Sequence, residues 1–199
     1  MTWRAMKLFL VSGLAATILA GCDGGHDSAQ ASSETTPLFY LSEDGVGPLN
    51  AATPFNLIRI GDAFQDYNVT EETHFQNGEK VPMITVKQRN RLLLTINPNY
   101  QQNAVFSIVV HDAQIGNKLG NLIGEKYRDI YSYGKTEECA PGMEEWSGKV
   151  MCYAPEQRNI LYLFAAADSG TAVVNDEVPA PEVMADWTLE AIVWKPPRS

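Results

Sequence analysis

The chain has 199 residues, of which 45% are hydrophobic and 10% aromatic, a composition that supports a packed core and excludes a disordered protein. Its 24 acidic and 15 basic residues give a formal net charge of −9, which excludes long-range attraction to nucleic acid or to anionic lipid headgroups. This length provides one domain, or two small domains that share a core.

Residues 1–21 have the regions of a secretory signal peptide, with a basic head and an apolar run from Leu8 to Leu19 before a polar start at Asp23. The run has about a dozen residues, fewer than the roughly 20 that a membrane-spanning helix needs. The segment Leu19-Ala20-Gly21-Cys22 resembles the lipobox of bacterial lipoproteins. That resemblance implies cleavage before Cys22 and acylation of its sulfur, with palmitate among the acyl chains. A plain signal peptide with a chance cysteine is the alternative.

Residues 22–37 are expected to join the lipid to the folded region. They are rich in Gly, Ser, Ala and Thr, so they cannot bury enough surface to fold and form a flexible tether. The lipid on Cys22 would anchor the protein in the cell envelope of a Gram-negative bacterium, facing the periplasm. Asp23 resembles the signal that retains enteric lipoproteins in the inner membrane. It is therefore the candidate sorting signal, and the choice between inner and outer membrane stays open.

The chain has three cysteines, and if Cys22 carries the lipid, Cys139 and Cys152 are left as a pair. The compartment beyond the inner membrane is oxidising, which favours a disulfide. Such a bridge would close a loop of about 14 residues and contribute roughly 3 kcal/mol. A metal pair or two free thiols are the alternatives, but no histidine or further cysteine lies between the two residues.

Residues 38–196 are predicted to fold as two similar units, 38–113 and 114–196. The first unit reads as a strand at Leu38–Leu41, a helix from Thr53-Pro54 to about Asp66, and strands at Tyr67–Phe75, Val81–Lys87, Arg91–Ile96 and Ala104–His111. The second reads as a helix from Leu122 to Tyr133, capped by Asn121 and stopped by Gly134, and strands at Lys149–Tyr153, Asn159–Ala165 and Leu189–Trp194. These patterns predict an α+β fold, a tandem duplication of a helix-plus-antiparallel-meander unit with the helices packed on the sheet. Any α+β chain, however, can be divided in this way.

No arrangement of residues in the sequence is typical of catalysis or metal binding. His74 and His111 fall in predicted strands without metal-ligand spacing, and no Gly-x-Ser-x-Gly motif occurs. The acidic pairs are expected to be solvated surface rather than acid–base pairs; they are Glu71-Glu72, Glu137-Glu138 and Glu144-Glu145. We therefore predict a protein that is not an enzyme and has no cofactor and no metal.

Two weaker signals point to binding. The glycines that precede the predicted second helix place Asn121 to Gly124 where a helix N-terminus holds an anion. The second unit is also rich in aromatic residues, which form either core or a groove for a peptide or small apolar ligand; they are Tyr127, Tyr131, Tyr133, Trp146, Trp187 and Trp194.

A longer combination of segments resembles a known family. The segment from Ser42 to Phe55 contains Gly45-Val46-Gly47 and Thr53-Pro54, and the chain ends in Ile192-Val193-Trp194-Lys195. Together with the lipobox and the two later cysteines, these segments resemble the sigma-E-regulated lipoproteins of enterobacterial type, a domain of unknown function. The resemblance implies control by an envelope-stress sigma factor and supplies no activity or catalytic residues.

Two functional hypotheses follow from the sequence. The first is a membrane-anchored, non-enzymatic envelope lipoprotein that binds a protein partner or assists envelope homeostasis under stress. The alternative is a periplasmic carrier or sensor with a pocket for a small apolar or anionic ligand, which requires a cavity of about 300 Å3. The sequence excludes nucleic acid as a partner and leaves the oligomeric state open.

Overall fold

Strands make up most of the fold, and they form one sheet of eight strands and one of four. The computed structural model describes residues 36–76, 78–131, 138–167 and 177–197, which all belong to one compact unit. The large sheet contains β4 (Asn68–Gln76), β5 (Glu79–Gln88), β6 (Arg91–Pro98), β7 (Val105–Val110), β9 (Cys139–Pro141), β10 (Val150–Tyr153), β11 (Ile160–Ala165) and β12 (Thr188–Trp194). The small sheet contains β1 (Phe39–Ser42), β2 (Gly45–Val46), β3 (Leu49–Asn50) and β8 (Ile115–Asn117).

The large sheet consists of two antiparallel meanders that meet in its middle. Its strand order is β4-β5-β6-β7-β12-β11-β10-β9, so the last strand of one meander pairs with the last strand of the other. Ile192 lies opposite Val110 and Trp194 opposite Ile108 at this junction. The seven strands predicted in this part of the chain are all present, with ends shifted by a few residues.

The small sheet covers one face of the large sheet, and both contribute to the same hydrophobic core. Leu41 and Val46 of the small sheet lie in one buried cluster with Ile84, Tyr162 and Trp194 of the large sheet. Each such side chain contributes about 1.5–3 kcal/mol through removal from water. The indole Nε1 of Trp194 also donates to the Glu43 carbonyl oxygen at 2.9 Å, which ties the β1–β2 turn to the large sheet.

The predicted first helix begins later and is shorter than expected. Helix α1 spans Leu57–Ala63, and its N-cap is Asn56, whose side chain accepts from the backbone N–H of Arg59 at 3.0 Å. The hydroxyl of Thr53 instead accepts from the backbone of Asn50. Pro54 forms a β-bridge with Ala104, and this extended pairing holds the chain out of the helical conformation.

The predicted second helix is reduced to α2, which spans only Tyr127–Ile130. Gly124 has φ 102°, which interrupts a helix, and its N–H donates to the carbonyl oxygen of Leu189 at 2.8 Å. Asn121 is therefore not the N-cap; Lys126 occupies that position. Gly134, the predicted helix stop, lies outside the described residues.

The prediction of an α+β fold with helices packed on the sheet is therefore wrong. Besides α1 and α2, the structure describes only α3 (Pro181–Met184) and a 3-10 turn at Glu144–Trp146, and the fold is mostly β. The tandem helix-plus-meander duplication depended on two comparable helices, and the structure does not contain them. Within the described part of the chain, no helix has the length and apolarity to cross a membrane.

Candidate functional site: a cavity on the outer face of the large sheet

The large sheet has a second face, opposite the small sheet, which we call the outer face. One row of directly paired residues crosses it and changes character from polar to apolar. The row reads Thr70, Thr85, Thr95, Val109, Val193, Leu161 and Tyr153. Because side chains alternate along a strand, β4, β5 and β6 present a row of threonines here, and β7 and the second meander present apolar side chains.

A half-open cavity of about 270 Å3 lies on the outer face where the two meanders meet. Half of its lining comes from each meander. The first contributes His74, Met83, Thr95, Asn97, Val109 and His111. The second contributes Glu145, Trp146, Lys149, Leu163, Glu190 and Ala191.

The loop closed by the disulfide supplies one wall of the cavity. Cys139 lies opposite Cys152 in the β9–β10 ladder, and the two sulfurs are bonded. Inside the loop, the backbone N–H of Lys149 donates to the Trp146 carbonyl oxygen at 3.0 Å. A Cβ at Gly142 would collide with that same oxygen, so only glycine fits there without a shift. The loop thus holds Trp146 against the apolar cluster of the outer face.

His111 forms part of the polar wall and is uncharged at neutral pH. Its Nε2 is 2.9 Å from the hydroxyl oxygen of Thr95. Burial lowers the pKa of His111 to about 4, with nearby Lys149 lowering it further and Glu190 opposing the shift. The imidazole therefore acts as a neutral hydrogen-bonding group rather than as a cation.

His74 lines the cavity and contains a polar atom that has no partner among the described residues. It lies on β4 opposite Val81, and its Nδ1 is buried without a hydrogen bond. A buried polar atom without a partner costs about 1–3 kcal/mol. Because this nitrogen has almost no accessible surface, it is a local cost to the fold and not a contact that the cavity offers to a ligand.

Three charged side chains border the cavity, and two of them form a pair. The Lys149 ammonium lies 2.8 Å from a carboxylate oxygen of Glu190. Glu145 makes no ion pair within the described ranges. Since His111 is neutral, these three groups leave the rim with an excess of negative charge.

A separate polar network lies on the same face beside the cavity. The Lys87 ammonium is 2.6 Å from Glu72 Oε1, and the Thr85 hydroxyl donates to that oxygen at 3.0 Å. The hydrogen bonds from Lys87 and Thr85 lower the pKa of the Glu72 carboxyl. Glu72 is thus held in its ionised form, which explains one of the acidic pairs as structural.

The structure tests some of the sequence-based site predictions, and others lie outside the described residues. The disulfide between Cys139 and Cys152 is confirmed, whereas Cys22 and Asp23 lie outside the described residues. No group of three or more potential metal ligands occurs in the described part of the chain. The expected anion site at Asn121 to Gly124 is already filled, because the Glu125 carboxylate accepts from Leu122 N–H at 3.0 Å and from Asn121.

The aromatic residues divide between core and cavity. Tyr127, Tyr131, Trp187 and Trp194 are buried in the core, whereas Trp146 lines the cavity; Tyr133 lies outside the described residues. The spacing of His74 and His111 in the sequence did not predict that they line one cavity. Their position in strands was the available signal, but only the register of the sheet brings both side chains to one cavity.

The fold and the cavity define a two-sheet, mostly antiparallel β-protein with a pocket at the junction of two meanders. The chain belongs to the family described as Protein of unknown function (DUF1131), whose model matches residues 33–196. The prediction of a domain of unknown function is thereby confirmed.

Relatives of the chain have been described in Escherichia coli. The chain is 28% identical over 158 residues to "Uncharacterized protein YfeY" of E. coli (strain K12), a match that covers 78% of each chain. The crystal structure of the uncharacterized protein yfeY from E. coli is similar, with a TM-score of 0.64 and 26% identity, over 78% of this chain and 99% of that chain. This likeness agrees with the mostly β fold and not with the predicted α+β arrangement.

Proposed function

We propose that this protein is a lipid-anchored envelope protein that binds a small ligand in the cavity of the outer face. The observation that carries the proposal is the cavity itself, where the Trp146 indole, an apolar floor and the polar side chains of Thr95 and Asn97 meet. Ligand sites combine apolar walls with a few placed polar groups in this way. At about 270 Å3, the cavity suits a molecule no larger than one substituted ring.

Membrane attachment is proposed from the lipobox. Labelling cells with a palmitate analogue is expected to mark the wild-type chain and not a Cys22→Ala variant, and the variant is expected to keep its signal peptide. Labelling of both chains would contradict acylation at Cys22.

Membrane fractionation of Asp23→Ser tests sorting, since an unchanged distribution between the inner and outer membranes would show that Asp23 is not the signal. Control by an envelope-stress sigma factor is proposed from the family resemblance alone.

A binding role rather than catalysis is proposed because the one hydroxyl–imidazole contact described in the cavity has a weak base. The Thr95 hydroxyl and His111 come closest to a nucleophile and base, at 2.9 Å. A base with a pKa of about 4 accepts protons poorly at neutral pH. Hydrolysis of a chromogenic acetate ester that disappears in Thr95→Val would overturn this part of the proposal.

Filling the cavity tests ligand binding directly. Ala191 lines the cavity floor and is 3% exposed, so Ala191→Leu places a larger side chain in the ligand space. Ala140→Leu on β9 is the matched control, because Ala140 is exposed and does not line the cavity. A small aromatic fragment is expected to raise the Tm of the wild type and of Ala140→Leu but not of Ala191→Leu. Equal stabilisation of all three proteins would contradict a site in the cavity.

A protein partner is the second candidate, and the edge of the large sheet favours it. Strand β4 ends the sheet on one side and carries Phe75, which is 69% exposed. An exposed edge strand with an apolar side chain is a place where another chain adds a strand. A photo-crosslinker at position 75 is expected to capture one envelope protein that a crosslinker at Tyr100, an exposed loop residue, does not. Identical products from both positions would count against this surface.

A further inference from the structure

The charges at the cavity rim distinguish between classes of ligand. Among the described residues that line the cavity, Lys149 is the one with a basic ammonium, and it pairs with Glu190 at 2.8 Å. Glu145 lies on the same rim without an ion pair among the described residues, and His111 is uncharged at neutral pH. An anionic ligand would therefore meet net repulsion, which salt screens because Glu145 is exposed.

The position of the free carboxylate adds a second argument. Glu145 and Trp146 are neighbours on the 3-10 turn and both line the cavity. A carboxylate beside an indole is a combination that attracts an organic cation, since the ring face and the charge both favour it. The turn is fixed by the disulfide loop, so the two groups are presented together.

The floor and the polar wall fit the rest of such a ligand. Met83, Val109 and Leu163 provide an apolar surface. The polar wall also contains the Asn97 side chain, whose amide oxygen is a hydrogen-bond acceptor. A primary ammonium has three N–H donors, enough for both an amide oxygen and a carboxylate.

We propose that the cavity binds a small organic cation, a protonated primary amine on a compact apolar body. The inference rests on the proposed function and makes it specific. It also replaces the anionic ligand that the sequence suggested. The Glu145 carboxylate and the Trp146 indole receive the ammonium group, and the floor of Met83, Val109 and Leu163 receives the apolar body. The volume of about 270 Å3 limits that body to one ring or a short branched chain.

Three probes of similar shape test the proposal by isothermal titration calorimetry. They are 2-phenylethylamine, 2-phenylethanol and 3-phenylpropanoate, which carry a positive, a neutral and a negative head. The protein is the mature chain, residues 22–199, with Cys22→Ser to keep it free of lipid. The amine is expected to bind about ten-fold more tightly than the alcohol, and the carboxylate more weakly than either.

Two matched substitutions locate the effect. Glu145→Gln is expected to lower amine affinity about ten-fold and to leave the alcohol unaffected. Glu144→Gln is the control, because Glu144 lies on the same exposed turn but does not line the cavity. Trp146→Leu is expected to weaken the amine more than the alcohol. Equal losses in the two glutamate variants would mean non-specific surface attraction and would overturn the proposal.

The outcomes separate this inference from the function on which it rests. If the alcohol or the carboxylate binds as tightly as the amine, and Ala191→Leu abolishes that binding, the ligand class is wrong and the binding function stands. If none of the three probes binds, both the ligand class and the small-ligand function are overturned.

Discussion

The disulfide closes the loop that forms one wall of the cavity. Its removal is expected to lower the free energy of unfolding of the domain. Replacing both residues, Cys139→Ala with Cys152→Ala, frees a closed loop of about 14 residues whose constraint contributes about 3 kcal/mol to the free energy of unfolding. Cys152 is fully buried, so the loss of its sulfur adds a packing cost. With a urea dependence of about 2 kcal/mol per M, the unfolding midpoint is expected to fall by about 1.5 M or more.

Urea unfolding followed by tryptophan fluorescence measures this shift. The wild type in reductant provides the matched comparison, because it keeps both sulfur atoms and loses only the covalent bond. Its midpoint is expected to lie between those of the oxidised wild type and the double variant. The reasoning would be refuted if reduced and oxidised wild type unfolded at the same urea concentration.

Three further changes test other contacts of the fold. Tyr162→Phe removes the hydroxyl that accepts from the Asn117 side chain at 3.0 Å, and it is expected to lower the free energy of unfolding, measured by thermal unfolding, by about 1–3 kcal/mol. Tyr100→Phe, at an exposed loop position, is the control and is expected to leave the free energy of unfolding unchanged. The pKa of His111 is about 4 in the folded protein and 6.5 for an exposed histidine, so the unfolded chain takes up this proton first as the pH falls. The free energy of unfolding is therefore expected to fall by about 3 kcal/mol between pH 6.5 and 4, and a His111→Gln variant with the same pH dependence as the wild type would contradict this. Gly142→Ala is expected to destabilise the disulfide loop and to lower the Tm, because a Cβ collides with a backbone carbonyl there.

Features that depend on residues close together in the chain could be predicted from the sequence. The β-type apolar runs in Arg91–Pro98 and in Ile160–Ala165 are read over a few residues, and both segments are strands. The pairing of Cys139 with Cys152 followed from the count of cysteines and the expected compartment, and it is present. These predictions required no knowledge of which strands pair across the sheet.

The helix predictions were wrong because contacts from distant residues outweighed local preference. The segment that begins with Asn121-Leu122 has a capping residue and helical spacing, yet Gly124 and Glu125 exchange backbone hydrogen bonds with Leu189. Extended pairing satisfies the same N–H and C=O groups that a helix would use. Propensity of a few tenths of a kcal/mol per residue does not decide between these states when tertiary contacts differ.

The cavity could not be predicted from the sequence because it depends on the pairing of two strands that are distant in the chain. The pairing of β7 with β12 joins the two meanders and brings His111 of one to Lys149 and Glu190 of the other. A one-residue slip in that ladder would turn either Val109 or Val193 away from the outer face and disrupt the cavity while leaving every strand intact. The site therefore depends on a single long-range register, set by the core residues Ile108 and Trp194 on the opposite face.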